Sequence, residues 1–163
     1  MEKPFDRYME QYQKCLKAGE IQKAYRGLMG YIAALRNYMI NKYPDGFVAG
    51  DVYQGYMDIS YFPFTSRGLK EKKLKVAVVF NHEKVRFEVW LVGQNKGIQN
   101  QFRQLFREKG WHPYPVAAES TDAVIESVLV AAPDFARLDV LTGQIEAGVM
   151  TFIREVERFF QEK

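Results

Sequence analysis

The stretch LKVAVVFNHEKVRFEVWLV, residues 74–92, decides how the rest of the chain is read. Leu74 to Phe80 and Val85 to Val92 are two runs rich in β-branched residues, and Asn81, His82, Glu83 and Lys84 separate them at hairpin spacing. With Phe80 opposite Val85, Val78 meets Phe87, Val76 meets Val89 and Leu74 meets Leu91, an all-apolar face of the kind that cross-strand pairing rewards. The other face then carries Val79 with Arg86, Ala77 with Glu88, and Lys75 with Trp90. Side chains alternate along a strand, so a slip of one residue would mix the two sets.

Upstream, residues 52–64 alternate as well. Tyr53, Met57, Ile59 and Tyr61 fall on one side, with Gln54, Tyr56, Asp58 and Ser60 on the other, which predicts a half-buried strand. Pro63 cannot donate to a central ladder and is expected to end this strand or place it at an edge. Before it, Phe5, Tyr8, Met9, Tyr12, Cys15 and Leu16 recur at helical steps and predict a first helix with that stripe facing inward. Gly19 suits its C-terminal cap. Ile21, Ala24, Tyr25, Leu28, Ile32, Leu35 and Met39 then repeat the spacing, giving a helical hairpin whose second arm ends before the turn of Pro44, Asp45 and Gly46.

Downstream, Ile98, Phe102, Leu105 and Phe106 predict a third helix up to Lys109, stopped by Gly110. Trp111 to Pro115 is too proline-rich for more than a turn or an edge piece. The β-branched run Val124 to Val130 reads as a strand, with a helix as the alternative. Pro133 and Asp134 open the last helix, whose stripe of Leu138, Leu141, Ile145, Val149, Phe152, Val156 and Phe159 or Phe160 is the strongest helical signal in the chain. The expected fold class is α+β, with one domain over 1–163. A small, mainly antiparallel sheet, made of a three-strand meander plus one further strand, carries an N-terminal helical hairpin, a middle helix and a long C-terminal helix on one face.

Composition narrows the function classes. A chain of 163 residues with 47% hydrophobic and 26% charged residues has globular proportions, which excludes a disordered or fibrous protein. The lone Cys15 excludes an internal disulfide, and its place on an apolar stripe predicts a buried small hydrophobe. Met1 to Asp6 has no basic-then-apolar leader pattern and no apolar run approaches a membrane span, so the expectation is a cytoplasmic protein with no membrane partner. A net charge of +3 is too small to act as an electrostatic funnel. The locally basic run of Arg67, Lys70, Lys72, Lys73 and Lys75 reads as a solvated loop, and without a recognition motif a nucleic-acid partner is not expected.

The mixed sheet face is the candidate site, because Tyr56, Asp58, Ser60, Lys75, Glu88 and Trp90 are expected to project from it. Read as a binding surface, it offers Tyr53, Tyr56, Tyr61 and Trp90 as walls, with a few fixed polar groups between them, for a small ligand or a protein partner. The surplus aromatic residues also suit a homo-oligomer interface. Read as an enzyme, two carboxylates beside a lysine, Asp58 and Glu88 with Lys75, are similar to the arrangement of metal-dependent nucleases, in which acids hold the ion and a base helps activate water. The spacing fits poorly, since Trp90 stands where such nucleases place the lysine. His82 and Glu83 are adjacent on a turn and seldom converge on one ion, and His112 is the only other histidine, so no metal site is expected. No phosphate loop, nucleophile elbow or Cys-x-x-Cys occurs, and no cofactor is implied. Ser60, Thr65 and Ser66 have no histidine placed in sequence to suggest a triad.

The segments Gly19 to Tyr25 (GEIQKAY), Tyr53 to Phe64 (YQGYMDISYFPF), Phe80 to Lys84 with Arg86 to Leu91 (FNHEK and RFEVWL), and Pro133 to Phe135 (PDF) resemble a family of small bacterial proteins of unassigned function, and the likeness runs nearly the full length. The resemblance implies a bacterial cytosolic protein and carries no activity to any residue. It draws attention to Tyr56, Asp58, Asn81, His82, Glu83, Glu88 and Trp90. The reading favoured by the sequence is a non-enzymatic protein that binds through the polar and aromatic sheet face, with a metal-dependent hydrolase or degenerate nuclease-like enzyme as the alternative.

Overall fold

The computed structural model describes residues 2–111, 113–118 and 121–162. The chain forms two compact units, Met1–Ala34 and Leu35–Lys163.

In the first unit, α1 (Phe5–Lys17) and the start of α2 (Glu20–Lys42) are joined by Ala18 and Gly19. Gly19 takes φ +77°, the left-handed conformation that ends a helix at little cost only for glycine. The Gln22 side-chain amide donates to the Leu16 carbonyl, satisfying one of the acceptors the helix end exposes. The stripe of α1 is present but is not covered. No residue of α1 is buried, Phe5 is 77% exposed, and Cys15 is exposed rather than buried as its stripe position predicts. Periodicity establishes that a helix has an apolar face; it does not supply something to lie against it.

In the second unit, α2 ends at Lys42, and Gly46 at φ +85° completes the turn around Pro44. The sheet is a five-stranded antiparallel meander in the order β1 (Phe47–Ala49), β2 (Ile59–Ser66), β3 (Leu74–Asn81), β4 (Arg86–Gly93), β5 (Ile125–Val130). Between them lie α3 (Arg67–Glu71) and α4 (Lys96–Glu108), and α5 (Leu138–Gln161) closes the chain. The α+β class, the middle helix, the strand at the end of the 124–130 run and the long last helix are as the sequence predicts. β1 and α3 are additions. The basic run is therefore not a loop throughout: Arg67 and Lys70 lie on α3, which Ser66 caps by accepting from the Leu69 amide, and Lys75 lies on β3.

Three details of the sheet differ from expectation. The β3–β4 register pairs Phe80 with Phe87, Val78 with Val89, Val76 with Leu91 and Leu74 with Gly93, a shift of two residues that leaves both faces as predicted. The turn sets this register, because the Asn81 side chain accepts from the Lys84 amide and Val85 adopts φ +49°. Residues 52–64 are not one strand. Gly55 and Met57 both take positive φ, and the chain doubles back so that Tyr53 and Tyr61 exchange backbone hydrogen bonds. Pro63 lies inside β2, opposite Ala77, rather than at its end. Its carbonyl accepts from Gly50 at the point where β1 runs out, so its missing N–H faces the end of the ladder.

One sheet face and the helices form the core. Phe62, Phe64, Val76, Val78, Phe80, Phe87, Val89 and Leu91 are buried, as are Leu141, Ile145, Val149, Phe152 and Val156 of α5 and Phe102 and Phe106 of α4. Burying side chains of this size contributes about 1.5–3 kcal/mol each. The helices meet this face at three marked points: Tyr43 at the end of α2 packs edge-on against Phe64, Gln99 of α4 lies against Gly93, and Gly148 of α5 lies against Leu129. Arg103 of α4, 3% exposed, donates to the carbonyls of Thr121 and Ala123 and so fixes the approach to β5.

Candidate functional site

The opposite face of the sheet, the open face, is exposed at its margins, while Val79 and Ala77 at its centre are buried. Strand pairing lays it out in rows. One row runs Tyr53, Tyr61, Val79, Glu88, Val128, and the next runs Pro63, Ala77, Trp90, Glu126. Asn81 and Arg86 form a third row, and Lys75 stands beside Val92 on the far side of Ala77. Tyr53 and Val128 are each 45% exposed, and the Tyr53 and Tyr61 rings lie with centroids 5.0 Å apart.

Glu88 is the organising group. It is 3% exposed, and both its oxygens are occupied: Oε1 accepts from the Trp90 indole at 3.0 Å, and Oε2 accepts from Arg86 Nε at 2.8 Å and Asn81 Nδ2 at 3.2 Å. A buried carboxylate is tolerable only with such compensation, and here each donor is fixed in return. Glu126, lateral to Trp90, has its carboxyl pushed up by burial and by the negative charge of Glu88, with Lys84, Arg86 and Arg103 pulling the other way. An upward shift of this kind leaves the carboxyl more easily protonated than an ordinary glutamate.

The sequence-predicted residues divide between places. Glu88, Trp90, Lys75 and Tyr53 share the open face. Ser60 does not: it stands opposite Phe80 in the register and is fully buried, because the doubling-back at Gly55 breaks the parity that links it to residues 53–58. Its hydroxyl donates to the Gln54 carbonyl and lies 2.8 Å from His82 Nε2. With its single proton given to Gln54, Ser60 accepts from the imidazole N–H, the reverse of what a nucleophile needs from a base. Asp58 lies in the turn before β2. Hydrogen bonds from the Ile59 and Tyr56 amides hold its carboxyl below the usual range, and its backbone carbonyl accepts from the His82 amide at 3.0 Å. Burial pushes His82 down, with Asp58 opposing. Ser60, Asp58 and His82 thus tie the 53–58 turn to the hairpin tip, and Tyr56 projects from that turn 91% exposed.

Sequence reasoning passed over a second polar cluster in the helix layer. Glu146 of α5, 8% exposed, accepts from Tyr38 at 2.7 Å, Tyr43 at 3.0 Å and Lys42 at 2.7 Å. Burial pushes its carboxyl up, yet the three donors outweigh it and hold the group below the usual carboxylate range. The signal was available: a glutamate beside Ile145 on the flank of the strongest apolar stripe calls for partners.

Among the described residues no group of three or more His, Cys, Asp or Glu is placed to hold a metal ion, and His112 lies outside them. No helix among them is long and apolar enough to cross a membrane. No curated protein and no solved structure matches the chain. A family model does match, over residues 5–160, and the chain belongs to that family, a domain of unknown function (DUF7000).

Proposed function

We propose that this chain is a non-catalytic binding protein whose open sheet face receives a flat, apolar-bodied ligand or partner side chain across Tyr53, Tyr61 and Trp90. The observation that carries the reading is the state of Trp90 and Arg86. Both are large side chains lying on a partly exposed face, and both are held by one buried carboxylate. Immobilising such side chains costs up to about 2 kcal/mol of rotamer entropy each. A surface already so ordered has less left to lose on binding. In the row of Pro63, Ala77 and Trp90, the small Ala77 is already buried, so the contact surface is made by its larger neighbours. Lys75 and Glu126 flank it with one group of each sign. A bacterial, cytoplasmic setting belongs to the same reading and is supported by the lone Cys15.

The hydrolase alternative, with Asp58, Glu88 and Lys75 as its groups, is the weaker reading. Both oxygens of Glu88 are taken by donors, and Asp58 turns its carboxylate to its own loop amides. A metal would have to displace these contacts before it gained a ligand.

The test is a screen of small aromatic compounds by proton–nitrogen correlation NMR, which resolves the two indole N–H groups of Trp90 and Trp111. Compounds that shift the Trp90 indole together with amides of Tyr53 and Tyr61, and lose that effect in Trp90→Ala, support the reading. Binders that cluster elsewhere, or none at all, count against it.

A further inference from the structure

We propose that Glu126 is the charge-recognising residue of the open face, and that the flat ligand received there is an organic cation, whose ammonium or guanidinium group meets the Glu126 carboxylate while its apolar body lies on Trp90. The inference rests on the binding reading above and narrows it to one class of ligand.

Two carboxylates lie beside Trp90 on this face, and they are engaged differently. Glu88 accepts from the Trp90 indole, Arg86 and Asn81. Glu126 is the direct cross-strand partner of Trp90, in the regular part of the β4–β5 pairing, where opposed Cβ atoms lie about 4.5–5.5 Å apart. Its carboxylate, half-buried, makes no hydrogen bond and no ion pair among the described residues. A carboxylate partly withdrawn from water without a donor of its own has acceptor capacity left for a ligand. Burial and the charge of Glu88 already push its carboxyl up, and a cation beside it would relieve both.

The surroundings select a cation over an anion. The Trp90 N–H is spent on Glu88, so what the indole offers a ligand is its ring face, and the Tyr53 and Tyr61 rings stand in the neighbouring row. Aromatic faces are negative and attract cations. The cations around Glu126 are committed or peripheral. Arg86 pairs with Glu88 at 2.8 Å, Arg103 is 3% exposed and donates to the Thr121 and Ala123 carbonyls, and Lys84 stands at the exposed hairpin tip. All three pull the Glu126 carboxyl down, but none forms an ion pair with it. Lys75 lies on the other flank, next to Val92. A ring face and an unengaged carboxylate thus stand side by side, the two features that together favour an organic cation.

Proton–nitrogen correlation spectra of the full chain at neutral pH, titrated separately with phenethylamine, phenethyl alcohol and hydrocinnamate, compare one ring carrying a positive, a neutral and a negative group. The amine is expected to move the Trp90 indole and the Glu126 amide with about tenfold higher affinity than the alcohol, and hydrocinnamate to bind most weakly. Glu126→Gln is expected to bring the amine to the level of the alcohol and to leave the alcohol unchanged, with α5 amides in place to report an intact fold. An amine that binds no more tightly than the alcohol, or less tightly than hydrocinnamate, overturns the inference while the binding reading survives on the alcohol; this comparison needs only the parent protein. A preference for the amine that persists in Glu126→Gln overturns the role of Glu126. If none of the compounds moves the Trp90 indole, the binding reading falls and the inference falls with it.

Discussion

Glu146→Ala removes one acceptor that three side chains share. The three do not lose equally: Tyr38 is 40% exposed and Lys42 about half exposed, so water replaces what they give up, and Lys42 is left out of the sum. Tyr43 is less open, and burial together with its bond to Glu146 already raises its hydroxyl pKa. A hydrogen bond to a charged group contributes about 1.5–3 kcal/mol, and a shielded donor left unpaired costs about 1–3 kcal/mol, so the expected loss is about 2 kcal/mol at neutral pH. For a chain of this length that is about 4–8 °C in Tm. The pH dependence carries the sharper signature. The Glu146 carboxyl is held below its unfolded value of about 4.3, so its contribution is present above that pH and fades as pH falls through the folded value. Thermal melts followed by circular dichroism should show the deficit of Glu146→Ala shrinking as the solution is acidified below that point. Glu10→Ala, which breaks only the exposed pair with Arg7, should melt with the parent throughout. A Glu146→Ala protein that melts with the parent at neutral pH, or a deficit that stays constant into acid, would refute the reasoning.

Three further outcomes are expected. His82 is held below the ordinary imidazole pKa by burial, so stability is full above its unfolded value of about 6.5 and falls as pH drops through the folded one; urea midpoints between neutral and mildly acid pH should decline in the parent and decline less in His82→Gln. Glu88→Gln leaves Arg86, whose side chain is 27% exposed, without its charge partner, and should cost about 2–3 kcal/mol, below the full value for a buried pair because water reaches the guanidinium; the Trp90 indole resonance should move in the same variant, and an unmoved indole would argue that Trp90 does not depend on Glu88. Gly93→Ala places a Cβ within 2.6 Å of the Gln99 backbone nitrogen, which cannot swing aside, and should cost about 1–3 kcal/mol by chemical denaturation; Gly68→Ala meets only the Glu157 carboxylate at 3.8 Å and should be neutral or slightly stabilising.

The sheet faces were legible in the sequence, and the register was not, for one reason. Alternation fixes parity, so residues 76, 78 and 80 had to share a side with 87, 89 and 91; sliding the hairpin by two residues keeps every apolar side chain on that side. The choice between the two registers fell to Asn81 and to Val85, whose positive φ no β-branched residue advertises. Residues 52–64 failed on the same ground. Gly55 could be read as a breaker, but Met57 at φ +64° could not, and without that second kink Ser60 keeps the parity of Asp58. β1 and α3, at three and five residues, are too short for any period to register. Cys15 was misplaced because a stripe was equated with burial.

The two buried carboxylates among the described residues answer their burial in the same way, and this separates what each can do. Glu88 collects one cation, Arg86, and two neutral donors, Asn81 and Trp90; Glu146 collects Lys42 with Tyr38 and Tyr43. A carboxylate whose oxygens already accept from three donors would have to give up these contacts before it could hold a metal ion or act on a substrate. The difference lies in where the donors are. Those of Glu146, Tyr38 and Lys42 on α2 and Tyr43 just past its end, pin that end of α2 to α5, which makes the cluster a structural joint. Those of Glu88 belong to the open sheet face, so the same saturation turns their outer surfaces into a fixed platform. In the binding reading proposed above, Glu88 would act through the side chains it immobilises, and its sequence signal was its position between Phe87 and Val89 with Trp90 two residues away on the same face.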